Sequence, residues 1–216
     1  MPEQPVCAIA GMGKGIGLAA ALKFAGEGFR VAMLARRAEP LAEFEKQVKG
    51  SRGFAVDLAD EAPVRNAFER IETEMGAVSV LIYNASAHHA GRPTSLNERV
   101  LVSDFRVNAV APLWCVQEVL DGMIEAGRGT ILLTGGGLAL KPQADVASLS
   151  IGKAAIRSLA LSLAQELGPV GIHVATVSIC GFVQPGTPYA AEKIVDEFWR
   201  LHCQPTGQFE AETVVQ

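Results

Sequence analysis

Along the chain, short runs dense in Val, Ile, Leu and Ala alternate with longer stretches in which apolar residues recur every three or four positions. The short runs are Val6 to Ala10, Arg30 to Ala35, Gly53 to Val56, Val78 to Tyr83, Thr130 to Thr134 and His173 to Ile179. They show little polar alternation, as expected of strands covered on both faces. A short last strand is expected over Glu212 to Val215. Helical period predicts helices over Ile16 to Glu27, Leu41 to Lys49, Glu61 to Met75, Ser103 to Ala126, Ser148 to Leu167 and Ala191 to Leu201. Strand and helix in strict alternation predict an α/β fold: a Rossmann-type doubly wound parallel sheet flanked by helices in three layers. Crossovers should be right-handed, with a ligand crevice outside the carboxyl ends of the strands where their order reverses. No linker or repeat interrupts the pattern, so residues 1–216 are expected to form a single domain.

Composition narrows the function classes. With 49% hydrophobic and 19% charged residues, the chain has a sizeable core and is not disordered. Lys and Arg total 19 against 23 Asp and Glu, a formal charge of -4 without like-charge runs, so neither nucleic acid nor a membrane is expected as a partner. No stretch approaches the roughly 20 apolar residues of a bilayer span. The opening Met1-Pro2-Glu3-Gln4-Pro5 lacks the basic flank of a secretory signal, and a cytoplasmic location is expected. Cys7, Cys115, Cys180 and Cys203 have neither metal-ligand nor redox spacing and are expected to be buried thiols, with no metal site.

The first strand runs into Ala10-Gly11-Met12-Gly13-Lys14-Gly15-Ile16-Gly17 and then a helix. Closely spaced glycines between a strand and a helix let phosphate approach backbone N–H groups at a helix N-terminus. The second strand ends Leu34-Ala35-Arg36-Arg37. An acidic residue there would accept hydrogen bonds from ribose hydroxyls, whereas a small residue followed by Arg leaves room and charge for a 2'-phosphate. Lys14 adds a second cation, so NADP(H) is preferred over NAD(H).

In this order along the chain, the motifs resemble those of the short-chain dehydrogenase/reductase family over nearly its whole length. The glycine loop is similar to the family's TGxxxGxG, with Ala10 in place of Thr. Tyr83-Asn84-Ala85-Ser86 is similar to its NNAG, and Cys180-Gly181 to its PG turn beside the nicotinamide. The resemblance implies cofactor contacts from Gly11, Gly13, Lys14, Gly15, Ile16, Gly17, Arg36, Arg37, Asn84, Ala85, Lys153, Gly181 and Val183, with Asp57 and Leu58 at the adenine. It implies catalytic roles for Asn108, which holds a water in the family's proton relay, and for Lys153. It also implies a homodimer or homotetramer built on the helices over Ser103 to Ala126 and Ser148 to Leu167.

The family's chemistry uses a Tyr four residues before the Lys, on the same helix face, and a Ser 13 residues before the Tyr. Those positions hold Leu149 and Gly136 here. The two tyrosines, Tyr83 and Tyr189, have no Lys four positions later. Other groups near the expected crevice each have two readings. Ser148 and Ser150 read as helix-capping or surface hydroxyls before proton donors, His88 and His89 as a solvated loop or an acid–base pair, and Cys180 as an inert buried thiol or a nucleophile. Tyr189 lies on the expected lid. Leu138, Leu140, Leu149 and Phe182 would line an apolar pocket, although Leu140 and Leu149 read equally well as core. Gly135-Gly136-Gly137 is either a turn that needs glycine or a floor that admits a ligand. Two functions follow: an NADP(H)-dependent oxidoreductase of a carbonyl or alcohol with a degenerate site, or a noncatalytic NADP(H)-binding sensor or structural partner.

Overall fold

Seven parallel strands arise where the sequence is continuously apolar, and in a computed structural model describing residues 4–216 they form one sheet. Part of the signal-peptide reading falls on Met1 to Glu3 and lies outside the described residues. The strands are β1 (Val6–Ala10), β2 (Arg30–Ala35), β3 (Ser51–Ala55), β4 (Val78–Tyr83), β5 (Gly129–Thr134), β6 (Ile172–Ile179) and β7 (Glu212–Val215). Their order is β3-β2-β1-β4-β5-β6-β7. The chain therefore leaves β1 in one direction and returns beside it as β4, which opens the crevice between the carboxyl ends of these two strands. Every residue of β1 and β6 is buried, whereas the edge strands β3 and β7 are half exposed. At the β7 edge, Arg157 Nη2 lies 2.6 Å from Glu212 Oε2, and Ser178 Oγ donates to Glu212 Oε1 at 2.8 Å.

Helices α1 (Ile16–Gly26), α2 (Ala38–Gln47) and α7 (Ala191–His202) cover one face. The other carries α3 (Glu61–Met75), α5 (Ala111–Ala126) and α6 (Ala147–Leu167). Apolar residues at helical spacing explain the packing, as with Ile16, Ala20 and Phe24 of α1, whose four-residue steps keep them on one buried side. Burying side chains the size of Ile16 and Phe24 stabilises by about 1.5–3 kcal/mol each. No helix of the described residues is long and apolar enough to cross a membrane.

The helix expected over Ser103 to Ala126 is two helices joined by a widened turn. It begins earlier, as α4 (Glu98–Phe105), because the Asn97 side chain accepts the Arg99 N–H at 2.9 Å and caps it. The backbone then passes through a π turn over Arg106–Val110 before α5. Pro112 supplies the reason: it has no N–H for the carbonyl four residues back and its ring crowds that carbonyl, which belongs to Asn108. The turn is also anchored by Tyr83, fully buried, whose hydroxyl donates to Val107 O at 2.5 Å. Smaller differences concern β3, which starts two residues before the expected Gly53, and α2, which starts at Ala38 rather than Leu41.

Gly11 closes the crevice floor. Its φ of +98° lies in the left-handed region, and a Cβ there would fall on the backbone nitrogen of Ala85. Gly11→Ala should therefore destabilise the fold by about 2 kcal/mol or more in urea unfolding, from backbone strain and overpacking together. Gly13→Ala, where a Cβ meets nothing within 4 Å, should be close to neutral. Equal stabilities for the two variants would contradict the assignment.

Candidate active site

The carboxyl ends of β1, β4 and β5 are stitched together by polar bonds. Asn84 N and Ala85 N both donate to Ala10 O, at 2.7 and 3.1 Å. Asn84 Nδ2 donates to Gly11 O at 3.0 Å, while its Oδ1 accepts from Thr134 Oγ1 at 3.1 Å. Lys153, from the second turn of α6, reaches down to Thr134 O at 2.8 Å. Its stem is partly open to the crevice but its ammonium lies deep, and this burial lowers its pKa to about 8. Thus Asn84 and Lys153, named by the sequence as members of one site, share a single chain of hydrogen bonds through Thr134, which the sequence reading did not single out.

On the β1 side, Gly11 N and Met12 N both donate to Leu34 O, at 3.0 and 2.9 Å. The glycine loop is thereby held against the end of β2, beside Ala35 and Arg36. Beyond it, the N–H groups of Gly13, Lys14, Gly15, Ile16 and Gly17 make no hydrogen bond among the described residues, and no side chain caps α1. A Cβ at Gly13 or Gly15 would face open space. Uncapped donors at a helix N-terminus form an anion seat. Lys14, Arg36 and Arg37 are exposed, and none joins a salt bridge among the described residues. Asp57 is exposed with one carboxylate oxygen accepting Ala59 N at 3.0 Å, and Leu58 is buried.

Asn108 sits in the π turn, buried, and is held to the loop after β4 by two bonds: Ala87 N donates to its Oδ1 at 3.0 Å and its Nδ2 donates to Ala87 O at 2.7 Å. Gly152 lets Asn108 pack flush against α6, since a Cβ at Gly152 would come within 2.6 Å of the Asn108 Cβ. Leu149 is half-buried, one turn before Lys153. The three glycines after β5 divide into two kinds. A Cβ at Gly135 would lie 2.6 Å from Thr176 Oγ1, and one at Gly137 would lie 3.0 Å from Cys180 Cα, so both positions are filled by neighbouring atoms. Gly136 has extended backbone, φ -176°, and a Cβ there would make ordinary contact with Lys153 Cδ and Cε at 3.4 Å.

Several expectations are corrected. Ser148 and Ser150 are buried and neither caps α6: Ser148 Oγ donates to Asp104 Oδ2 at 2.6 Å, and Ser150 Oγ accepts Gln143 N at 3.1 Å. Cys180 and Cys203 are exposed; only Cys7 and Cys115 are the expected buried thiols, both pushed well above the usual range by burial. Leu140 is 42% exposed and is not core. Phe182 and Val183 are also exposed beside Gly181, and the N–H groups of Gly181 and Val183 are unpaired among the described residues. Tyr189 packs its ring directly on Gly181. His88 is exposed without a partner among the described residues, whereas His89 is tied by Nδ1 to Asp104 Oδ1 at 2.9 Å. Asp104 was not singled out from the sequence. Its signal was a carboxylate four residues before Asn108, on the same helical face.

Comparison with known proteins adds four findings. A family model described as short chain dehydrogenase matches residues 5–196. A 3-oxoacyl-[acyl-carrier-protein] reductase of Bos taurus is 29% identical over 174 residues, 80% of this chain and 73% of that protein. An uncharacterized oxidoreductase of Thermotoga maritima is 32% identical over 187 residues, 82% of this chain and 71% of its own. Among solved structures, a metagenomic short-chain oxidoreductase in complex with NADP superposes with a TM-score of 0.90 at 24% identity, covering 99% of this chain and 97% of that one. At that identity the likeness is one of fold.

The buried ammonium has a pH signature. Lys153 titrates near 8 when folded and at its ordinary 10.5 when unfolded. Below pH 8 both states are charged, and the full cost of burying the charge weighs on the fold. Between about 8 and 10.5 the unfolded state holds a proton that the folded state has released, so stability rises with pH, by at most about 1.4 kcal/mol per unit. The stability difference between wild type and Lys153→Met should therefore shift toward wild type over this interval. Buried thiols and Tyr83 cancel in that difference. Parallel stability curves in urea at pH 7 to 10 would contradict the assignment.

Proposed function

The chain belongs to the short-chain dehydrogenase family, and we propose that it is an NADP(H)-dependent oxidoreductase of carbonyl and alcohol groups whose site departs from the family pattern at Leu149 and Gly136. The observation that carries the reading is the row of unpaired N–H groups from Gly13 to Gly17, flanked by the unpaired cations of Lys14 and Arg36. Donors without acceptors, open space at Gly13 and Gly15, and two free positive charges fit a dinucleotide with a third phosphate. A structural neighbour of the same fold is described in complex with NADP, which supports the same cofactor.

In this reading the glycine loop and Gly17 hold the pyrophosphate, and Arg36, Arg37 and Lys14 meet the 2'-phosphate. Asp57 and Leu58 flank the adenine. Asn84 and Ala85 hold the turn beside the ribose, and the N–H groups of Gly181 and Val183 receive the carboxamide. The dinucleotide, when bound, supplies the hydride. Lys153 would keep a proton at Nζ, fixed by Thr134 O, for the nicotinamide ribose hydroxyls, and Asn108 holds the Ala87 carbonyl. Of Leu140, Leu149 and Phe182, half-buried Leu149 is the one that would exclude water, since Leu140 and Phe182 are exposed. The exposed Val102, Phe105 and Ile151 on α4 and α6 form the surface on which a second copy would pack into a homodimer or homotetramer.

Leu149 also favours a second reading. It has no proton to give at the position one turn before Lys153, so the chain would bind NADP(H) without turnover and act as a sensor or structural partner. Both readings keep the same cofactor.

Charge-assisted hydrogen bonds contribute about 1.5 to 3 kcal/mol each, so Arg36→Ala should weaken NADPH binding by about 10- to 100-fold and leave NADH nearly unchanged. Fluorescence titration of both nucleotides checks this, and equal losses would count against NADP(H). A second experiment concerns the two departures. Gly136 has room for a Cβ, so Leu149→Tyr with Gly136→Ser should fold and raise NADPH-dependent carbonyl reduction above wild type, by about 10-fold or more. The single changes should give much less, because such groups act as a unit. No gain from a folded, NADPH-binding double variant would sink the claim that these two positions limit the reaction.

A further inference from the structure

A reductase whose Leu149 has no proton needs another acid, and one buried carboxylate in the structure is bound to a histidine at the same end of α6. Asp104 on α4 is 1% exposed, the one charged residue among the buried polar groups of this layer, which include Asn108, Ser148 and Ser150. Burying a carboxylate is costly unless its oxygens are fully engaged. Three donors meet it: His89 N to Oδ2 at 3.0 Å, Ser148 Oγ to Oδ2 at 2.6 Å, and His89 Nδ1 to Oδ1 at 2.9 Å. The imidazole itself is 62% exposed. Nδ1 is thus committed as the donor to Asp104, which leaves Nε2 as the nitrogen free to exchange a proton.

The position of this pair follows from the same bonds. The segment from Asn84 to His89 starts on the crevice floor, where Asn84 bonds Thr134 and Gly11. It passes Ala87, held to Asn108 by two bonds, and reaches the first turn of α6, where Ser148 Oγ, its proton given to Asp104, accepts His89 N at 3.4 Å. Leu149 follows Ser148 directly. A carboxylate that fixes an imidazole through Nδ1 and leaves Nε2 outward is the arrangement that sets tautomer and orientation in acid–base catalysis.

We propose that His89 is the proton donor of the reaction and that Asp104 is its positioning residue, an inference that rests on the oxidoreductase reading. In reduction, the carbonyl carbon gains the hydride supplied by the cofactor while its oxygen takes the proton from His89 Nε2. The Nε2–H bond breaks and an O–H bond forms; the imidazolium becomes neutral imidazole and regains its proton from water. Asp104 keeps its charge throughout. In the oxidative direction the neutral imidazole takes the proton from the alcohol.

The test uses the full chain with NADPH and a panel of aryl and alkyl aldehydes. His89→Asn and His89→Gln should lower kcat by about 10²- to 10⁴-fold while NADPH affinity stays within about twofold of wild type. In wild type, kcat should show a limb that falls as rising pH removes the donor's proton, with Asp104 from α4 and Ser148 from α6 as the groups bonded to the ring's residue and His88 as its neighbour. That limb should vanish in both His89 variants and move in Asp104→Asn, a change that a merely structural staple would not produce. His88→Asn serves as the control and should keep wild-type turnover. Independently of activity, histidine-ring NMR of the protein without cofactor should show His89 protonated at Nδ1 in its neutral form, a signature lost in Asp104→Asn. Turnover that survives folded His89 variants, or neutral His89 protonated at Nε2, would overturn the proposal while leaving the oxidoreductase reading intact. Tight NADPH binding with no wild-type turnover of any aldehyde would overturn both.

Discussion

Parallel strands buried on both faces end with carbonyls that have no water to bond, and each must find a donor where the chain turns. Nearly every feature of the candidate site answers that requirement. Leu34 O takes the N–H groups of Gly11 and Met12, Ala10 O takes those of Asn84 and Ala85, Val177 O takes Gly135 N, and Thr134 O takes the ammonium of Lys153. The first two solutions bring the glycine loop against β2 and the loop after β4 against β1. The last draws a charged side chain into the centre of the molecule, and burial of its ammonium lowers its pKa. The groups that a nucleotide would meet are therefore the by-products of closing the sheet.

The donors left over matter as much as those that are used. Once Gly11 and Met12 have bonded Leu34, the next five N–H groups point past the sheet with no acceptor, and the absence of side chains at Gly13 and Gly15 keeps the space before them open. A similar division appears after β5. Gly135 and Gly137 are pinned by Thr176 and Cys180, so glycine there serves packing, while Gly136 sits in an ordinary extended conformation with room for a side chain. Glycine at position 136 is consequently not required by the backbone.

Legibility varied with the range of the interaction. The place of the glycine loop between β1 and α1, and of Lys153 on α6, could be read because it depends on neighbours within a few residues and on strand–helix alternation. The start of α4 and the π turn were also local, signalled by Asn97 and Pro112, and were missed because the apolar period through the segment outweighed a single cap and a single proline. Cys180 was read as buried, and core was one of the two readings of Leu140, for a different reason. Exposure at a crevice mouth depends on which loops leave space there, and an apolar residue at such a mouth looks in sequence like any core residue.

By itself the sequence determined the layers, the parallel sheet, the placement of the glycine loop and the absence of a tyrosine four residues before Lys153, because periodicity and spacing are properties of one segment at a time. Only the tertiary structure decided that Thr134 links Asn84 to Lys153 and that Ser148 turns inward rather than capping its helix. It alone decided that Asp104 and His89, 15 residues apart, share a bond. Those pairings join α4, α6, β5 and the loop after β4, and a hydrogen bond between distant segments is set by how helices and strands pack rather than by any pattern within one of them.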